Sequence, residues 1–138
     1  RDIREVAGTG AAGGLSAGLL AFVGGRIQSG IDLLLDHADF DALLDKTDLI
    51  ITGEGQMDGQ TIHGKGPIGI AQRAQKKGVP TVALVGGLDV YDKVLHDAGI
   101  QAVLPIVTKP MPLSDAIANA EDLLERASLR LGYLLSMK

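Results

Sequence analysis

Apolar residues in this chain fall in short runs cut by glycine, proline and charge, and the runs alternate between two periods. Asp48-Leu49-Ile50-Ile51-Thr52-Gly53 is a brief apolar stretch that predicts a buried strand over 48–53. From Pro67 the spacing turns helical: Pro67 suits the first helical position, Ile68, Ala71 and Ala74 share a face, and Lys76-Lys77-Gly78 supplies a stop. Pro80 to Gly87 reads as a second buried strand, and Val90 to Ala98 as a short helix ended by Gly99. Ala102 to Val107 is a third strand, whose Pro105 places it at an edge or a strand end. Beyond Pro112 lies the longest helix. Ser114 is placed to cap it, and Ile117, Ala120, Leu124, Ala127, Leu131 and Leu134 form its apolar stripe.

Strand and helix therefore alternate from residue 48 to the end, which is the pattern of an α/β protein with a parallel sheet covered on both faces. Three strands make a small sheet, so further strands are expected from chain outside these residues. The first third differs. Leu15, Leu19, Phe22 and Val23 fall at helical spacing and predict a buried helix, opened by the Gly-rich Gly8–Gly14 and ended by Gly24-Gly25. Ile31 to Asp36 suits helix as well as strand. Asp39 can cap a short helix reaching Lys46, and the aspartates at 36, 39, 41, 45 and 48 read as a solvated face with His37 at the surface.

Composition narrows the classes. With 138 residues, the chain suits one domain or part of a larger one. Hydrophobic residues make up 46% and aromatic residues 3%, so a core must be built from aliphatic side chains. The formal charge is −4, and no basic stripe is interleaved with aromatics, which excludes nucleic acid as the expected partner. The absence of cysteine rules out disulfides and thiolate metal sites and fits a reducing cytoplasm. Leu15 to Val23 is too short to span a bilayer, which takes about 20 residues, so no membrane partner is expected.

One stretch stands apart. From Thr52 to Pro67 the chain carries Glu54, Asp58, His63, Lys65 and five glycines, with almost nothing apolar to bury. A polar loop leaving the carboxyl end of a parallel strand is where such sheets bind ligands. Gly59 to Gly66 follows the Walker pattern G-x-x-x-x-G-K-[ST] up to its last position, where Gly66 lacks the hydroxyl. It is not an ordinary P-loop. Lys65, beside Gly64 and at a helix N-terminus, is nonetheless placed to meet a phosphate. Glu54 and Asp58 could hold Mg²⁺, a hard cation that takes oxygen ligands, or one could accept a proton from a substrate hydroxyl. Asp58-Gly59 could equally be turn chemistry, and Thr61 and His63 are candidates for binding a phosphate or carboxylate. Gly8, Gly10 and Gly13 fit G-x-G-x-x-G, but Asp2 to Val6 is too short and charged to be the strand that a dinucleotide fingerprint requires. What remains of that motif is a Gly-rich turn, with Gly14, that opens a helix toward an anion. Together these features point to phosphoryl transfer, with a non-catalytic anion-binding or nucleotide-binding α/β module as the alternative.

Gly10-Ala11-Ala12-Gly13-Gly14-Leu15, Asp48 to Gly55, Asp58-Gly59-Gln60-Thr61, Gly64-Lys65-Gly66-Pro67 and Val82 to Gly87 closely resemble the bacterial glycerate kinases of type 1. The resemblance implies ATP-dependent phosphorylation of D-glycerate, usually to 2-phosphoglycerate, with Mg²⁺. It also implies a flavodoxin-like parallel sheet interrupted by an inserted α/β domain. On that basis the chain is the C-terminal part of such a kinase: residues 1–45 come from the inserted domain or its junction, and residues 46–138 from the flavodoxin-like domain. The resemblance makes Asp58 the preferred base or metal ligand, Glu54 the second metal ligand and Lys65 the phosphate clamp. The Gly8–Gly14 turn and Thr61 stand in the family's motif positions. An exposed sheet edge in such a piece favours a homodimer.

Overall fold

The computed structural model describes residues 2–59, 61, 66–90 and 92–137. Three parallel strands form its centre, in the order β1 (Ile50–Asp58), β2 (Thr81–Asp89) and β3 (Ala102–Pro105). Helices α4 (Gly66–Lys76) and α5 (Asp92–Asp97) form the crossovers. Helices α6 (Leu113–Ala118) and α7 (Ala120–Ser136) follow the sheet. The predicted α/β alternation is therefore observed.

The central strand explains why β2 reads as a continuous apolar run. Ala83 and Val85 join Met57, Ile68, Ala71, Leu95 and Ile100 in one core, built with α4 and α5. Their strand neighbours Val82 and Leu84 join Ala127 and Leu131 of α7 in a second core. Successive side chains on a strand point to opposite faces, so a strand sandwiched between helices must be apolar at every position.

The N-terminal third divides in two. α1 (Ala11–Phe22) begins with left-handed backbone at Ala12, Gly13 and Gly14, so its regular turns start at Leu15. The expected buried helix is found exposed: Phe22 is 90% and Leu15 62% accessible, and only Leu20 is buried. Among the described residues, no other helix or strand packs extensively on it.

By contrast, α2 (Gly30–His37) and α3 (Phe40–Leu44) pack against α4. Gly69 lets α2 approach closely, since a Cβ there would stand 2.8 Å from two carbons of Ile31. Arg73 of α4, with its side chain only 15% exposed, meets Asp36 at 2.6 Å, Asp32 at 3.3 Å and Asp41 at 3.6 Å. Three of the nearby carboxylates thus share one cation while staying about half exposed to solvent. The hydrogen bond to Asp36, ahead of the other causes, pushes the Arg73 guanidinium still further above its ordinary pKa.

Several boundaries differ from the sequence expectation. β1 runs on through Asp58 instead of ending near Gly53, because residues 54 to 58 keep pairing with β2. Ile31–Asp36 is helical, with Ser29 rather than a strand edge at its start. Asp39 precedes α3 in a left-handed conformation and makes no capping hydrogen bond through its side chain. The last helix is broken at Asn119, and Ser114 lies inside the short α6 rather than capping it.

The α2–α4 crossing predicts that Gly69→Ala is destabilising by about 1–3 kcal/mol, the usual range for overpacking. Urea unfolding followed by circular dichroism measures it, and an unchanged midpoint would contradict the crossing.

Candidate active site

In an open parallel sheet the strand ends on the carboxyl side carry the ligand. Here β1 and β2 are both nine residues long and pair in register from Ile50↔Thr81 to Asp58↔Asp89. Each strand thus finishes in an aspartate, and the two stand side by side, about 4.8 Å apart at their backbones. Asp89 is exposed and Asp58 half-buried. Asp89 was not singled out as a site residue from sequence. The available signal was the equal length of the two strands, which was hidden because β1 was read as ending five residues early.

Glycine makes this rim possible. A Cβ on Gly86 would collide with the carbonyl oxygen of Gly55 on the neighbouring strand. The two strands therefore approach more closely there than any side chain permits. Below the rim, a groove of about 670 Å³ runs between the sheet and helices α6 and α7. Ile51, Gly53, Leu113, Ile117 and Leu124 are among its lining residues. It is mainly apolar, with Glu54 and Gln56 of β1 among its lining, and reaches the rim at Gly86 and Gly87.

Asp58 is held in place by Thr61. The Thr61 N–H donates to Asp58 Oδ1 at 3.2 Å, and the Asp58 N–H donates to Thr61 Oγ1 at 3.1 Å. The Thr61 hydroxyl also lies 3.5 Å from Asp58 Oδ1. This reciprocal pair is the chemistry of a capping box, with side chain and backbone exchanging bonds across three residues. Thr61 is fully buried, which does not suit the direct substrate contact expected of it.

Glu54 lies within β1, opposite Val85. Four residues of strand separate its backbone from that of Asp58 by about 13 Å. The two carboxylates are therefore not neighbours. Mg²⁺ bound to substrate phosphates needs only one or two protein carboxylates, and Asp58 beside Asp89 fits that donor set better than Asp58 with Glu54. His63, Gly64 and Lys65 lie outside the described residues. The turn containing Gly8, Gly10, Gly13 and Gly14 is ordered by Ser16, whose hydroxyl reaches the carbonyls of Gly8 at 2.8 Å and of Thr9 and Ala11 at 3.1 Å. Among the described residues, α1 makes no extensive contact with the sheet or with α4.

A model of the glycerate kinase family matches residues 1–136. The chain belongs to the glycerate kinase family. A glycerate kinase from Neisseria meningitidis serogroup B is 44% identical over 96% of this chain and 36% of its own length. A glycerate 2-kinase from Escherichia coli K12 is 38% identical over 99% of this chain and 36% of its own. A crystal structure described as a glycerate kinase 2 from Salmonella typhimurium LT2 superposes with a TM-score of 0.63. It is 38% identical over 92% of this chain and 34% of that one. The chain thus spans about a third of the length of the glycerate kinases it matches.

The glycine contact at the rim yields a paired prediction. Gly86→Ala must push β1 and β2 apart and lowers stability by about 1–3 kcal/mol. Gly59→Ala, with open space around the added carbon, leaves the thermal midpoint where it was. Equal effects for the two substitutions would contradict the close approach at Gly55.

Proposed function

We propose that the protein carrying this chain transfers the γ-phosphoryl group of ATP to a hydroxyl of glycerate. The observation that carries this reading is the family match along the chain together with Asp58, fixed by Thr61 at the carboxyl end of β1. The name of the Escherichia coli relative, a glycerate 2-kinase, supports 2-phosphoglycerate as the product.

In this reading the glycerate hydroxyl attacks the γ-phosphorus as the bond to the ADP oxygen breaks, and the hydroxyl proton passes to the Asp58 carboxylate. Transfer of this kind depends on positioning and charge neutralisation more than on covalent chemistry. Mg²⁺, when bound with the nucleotide, supplies neutralising charge, and Asp58 with Asp89 would hold it. Lys65 clamps a phosphate, and His63 and Gly64 assist from the same loop. The Gly8–Gly14 turn offers backbone N–H groups to a second anion, the glycerate carboxylate or a nucleotide phosphate. Glu54, set back along the strand, lines the groove that reaches the rim.

The chain is read as the C-terminal part of the kinase, with the remaining polypeptide adding strands beyond β1 and covering the apolar groove. In this reading residues 1–45 belong to the inserted domain or its junction, and residues 46–138 to the sheet domain. The packing of α2 and α3 on α4 brings residues 30–44 beside the sheet domain.

Asp58→Asn in the full-length protein is expected to lower turnover by about 10²- to 10⁴-fold, the range for loss of a general acid or base. Glycerate-dependent ADP release measures it, and near-wild-type kcat would sink the assignment. Binding of ATP without turnover in the intact wild-type protein would favour a non-catalytic module.

Taken alone, the chain is expected to self-associate. Leu113 is 75%, Ile117 68% and Ile51 55% exposed, and β1 has an edge unpaired among the described residues. Light scattering that finds a monomer at high concentration would contradict this.

A further inference from the structure

Thr61 makes two kinds of contact that rarely coincide by accident. Its side chain is fully buried, and its hydroxyl is engaged with the one aspartate that the proposed chemistry depends on. We infer that Thr61 is a positioning residue, which sets the direction of the Asp58 carboxylate and does not itself touch substrate. The inference rests on the reading of Asp58 as proton acceptor or metal ligand.

Asp58 is the last residue of β1, where the ladder stops constraining the chain. A half-buried aspartate at such an end can rotate among staggered wells, and only one of them aims the carboxylate at a given reacting atom. Thr61 removes that freedom from both sides. Its N–H holds Oδ1, and its oxygen holds the Asp58 backbone N–H, so the Asp58 main chain and side chain are referred to the same residue. Anchoring one carboxylate oxygen fixes where the other points. Small displacements of a reacting group are costly, because rate depends on near-attack geometry.

The spacing is also informative. Three residues are the separation at which side chain and backbone can exchange bonds reciprocally. A purely structural turn would satisfy the same geometry, so the test must separate the two. A role in binding substrate phosphate, the expectation from sequence, would require an accessible hydroxyl, and this one is buried.

The experiment uses the full-length kinase, with ATP, glycerate and Mg²⁺ as the probes. Thr61→Val, which keeps the shape and the backbone N–H but removes the hydroxyl that holds the Asp58 N–H, is expected to lower kcat by about 10- to 100-fold, the loss typical of an orienting partner. KM for both substrates stays close to wild type, and Thr61→Ser recovers most of kcat. In an Asp58→Asn background, Thr61→Val removes nothing further from the residual turnover. Should Thr61→Val not fold by circular dichroism, Thr61→Ala takes its place, since it adds no bulk. A raised KM at unchanged kcat would make Thr61 a substrate contact and overturn the inference. So would an unchanged kcat in Thr61→Val, or an additive loss in the Asp58→Asn background. If Asp58→Asn itself turns over normally, the reading of Asp58 fails, and the positioning role falls with it.

Discussion

The parallel pairing of β1 with β2 is the constraint on which the rest of this structure depends. Nine residues of each strand run in register, and side chains on a pair so fixed cannot slip without reversing their faces. The pairing sends Ala83 and Val85 to the core under α4 and α5, and Val82 and Leu84 to the core under α7. It also brings Asp58 and Asp89 to one rim. The closeness of the strands at Gly55 and Gly86 belongs to the same arrangement, since no residue with a Cβ could occupy position 86 without moving its neighbour. Core and rim are two consequences of one register.

The second organising contact joins the N-terminal third to this sheet. Gly69 admits Ile31, and Arg73 gathers Asp32, Asp36 and Asp41 onto α4. Because α4 follows the polar loop directly, whatever fixes α4 also fixes one end of that loop. Arg73 is largely covered while its partners remain half or more exposed. The pairs therefore keep much of their hydration, and their chief effect is to choose how α2 lies rather than to add stability. α1 takes no part in this packing, and its exposed Leu15, Leu19, Phe22 and Val23 are apolar surface of the kind that a further element covers.

Much of the fold was legible in the sequence for a simple reason. A strand buried on both faces must be apolar throughout, so β2 announces itself, and glycines and prolines mark where helices stop and start. The end of β1 was hidden because Thr52 to Asp58 is polar. Backbone pairing with β2 overrides what composition suggests there. The same cause concealed Asp89. Asp58 could be picked out as one of two carboxylates in a glycine-rich stretch, but its partnership with Thr61 and its neighbour across the strands needed coordinates. The aspartates at 36 and 41 are exposed as expected, but their shared partner Arg73 could not be read from spacing, since it lies more than thirty residues further on. Sequence spacing reports local faces and says little about contacts made across such a distance.

On the proposed function, Asp58 stands where phosphoryl transfer takes place. The most direct measurement is a crystal structure of the full-length kinase with glycerate and a non-hydrolysable ATP analogue. The predicted result has the glycerate hydroxyl and the γ-phosphate meeting at the carboxyl ends of β1 and β2, with the Asp58 carboxylate turned toward them and its bonds to Thr61 intact. Substrates bound away from that rim, with Asp58 facing elsewhere, would contradict it.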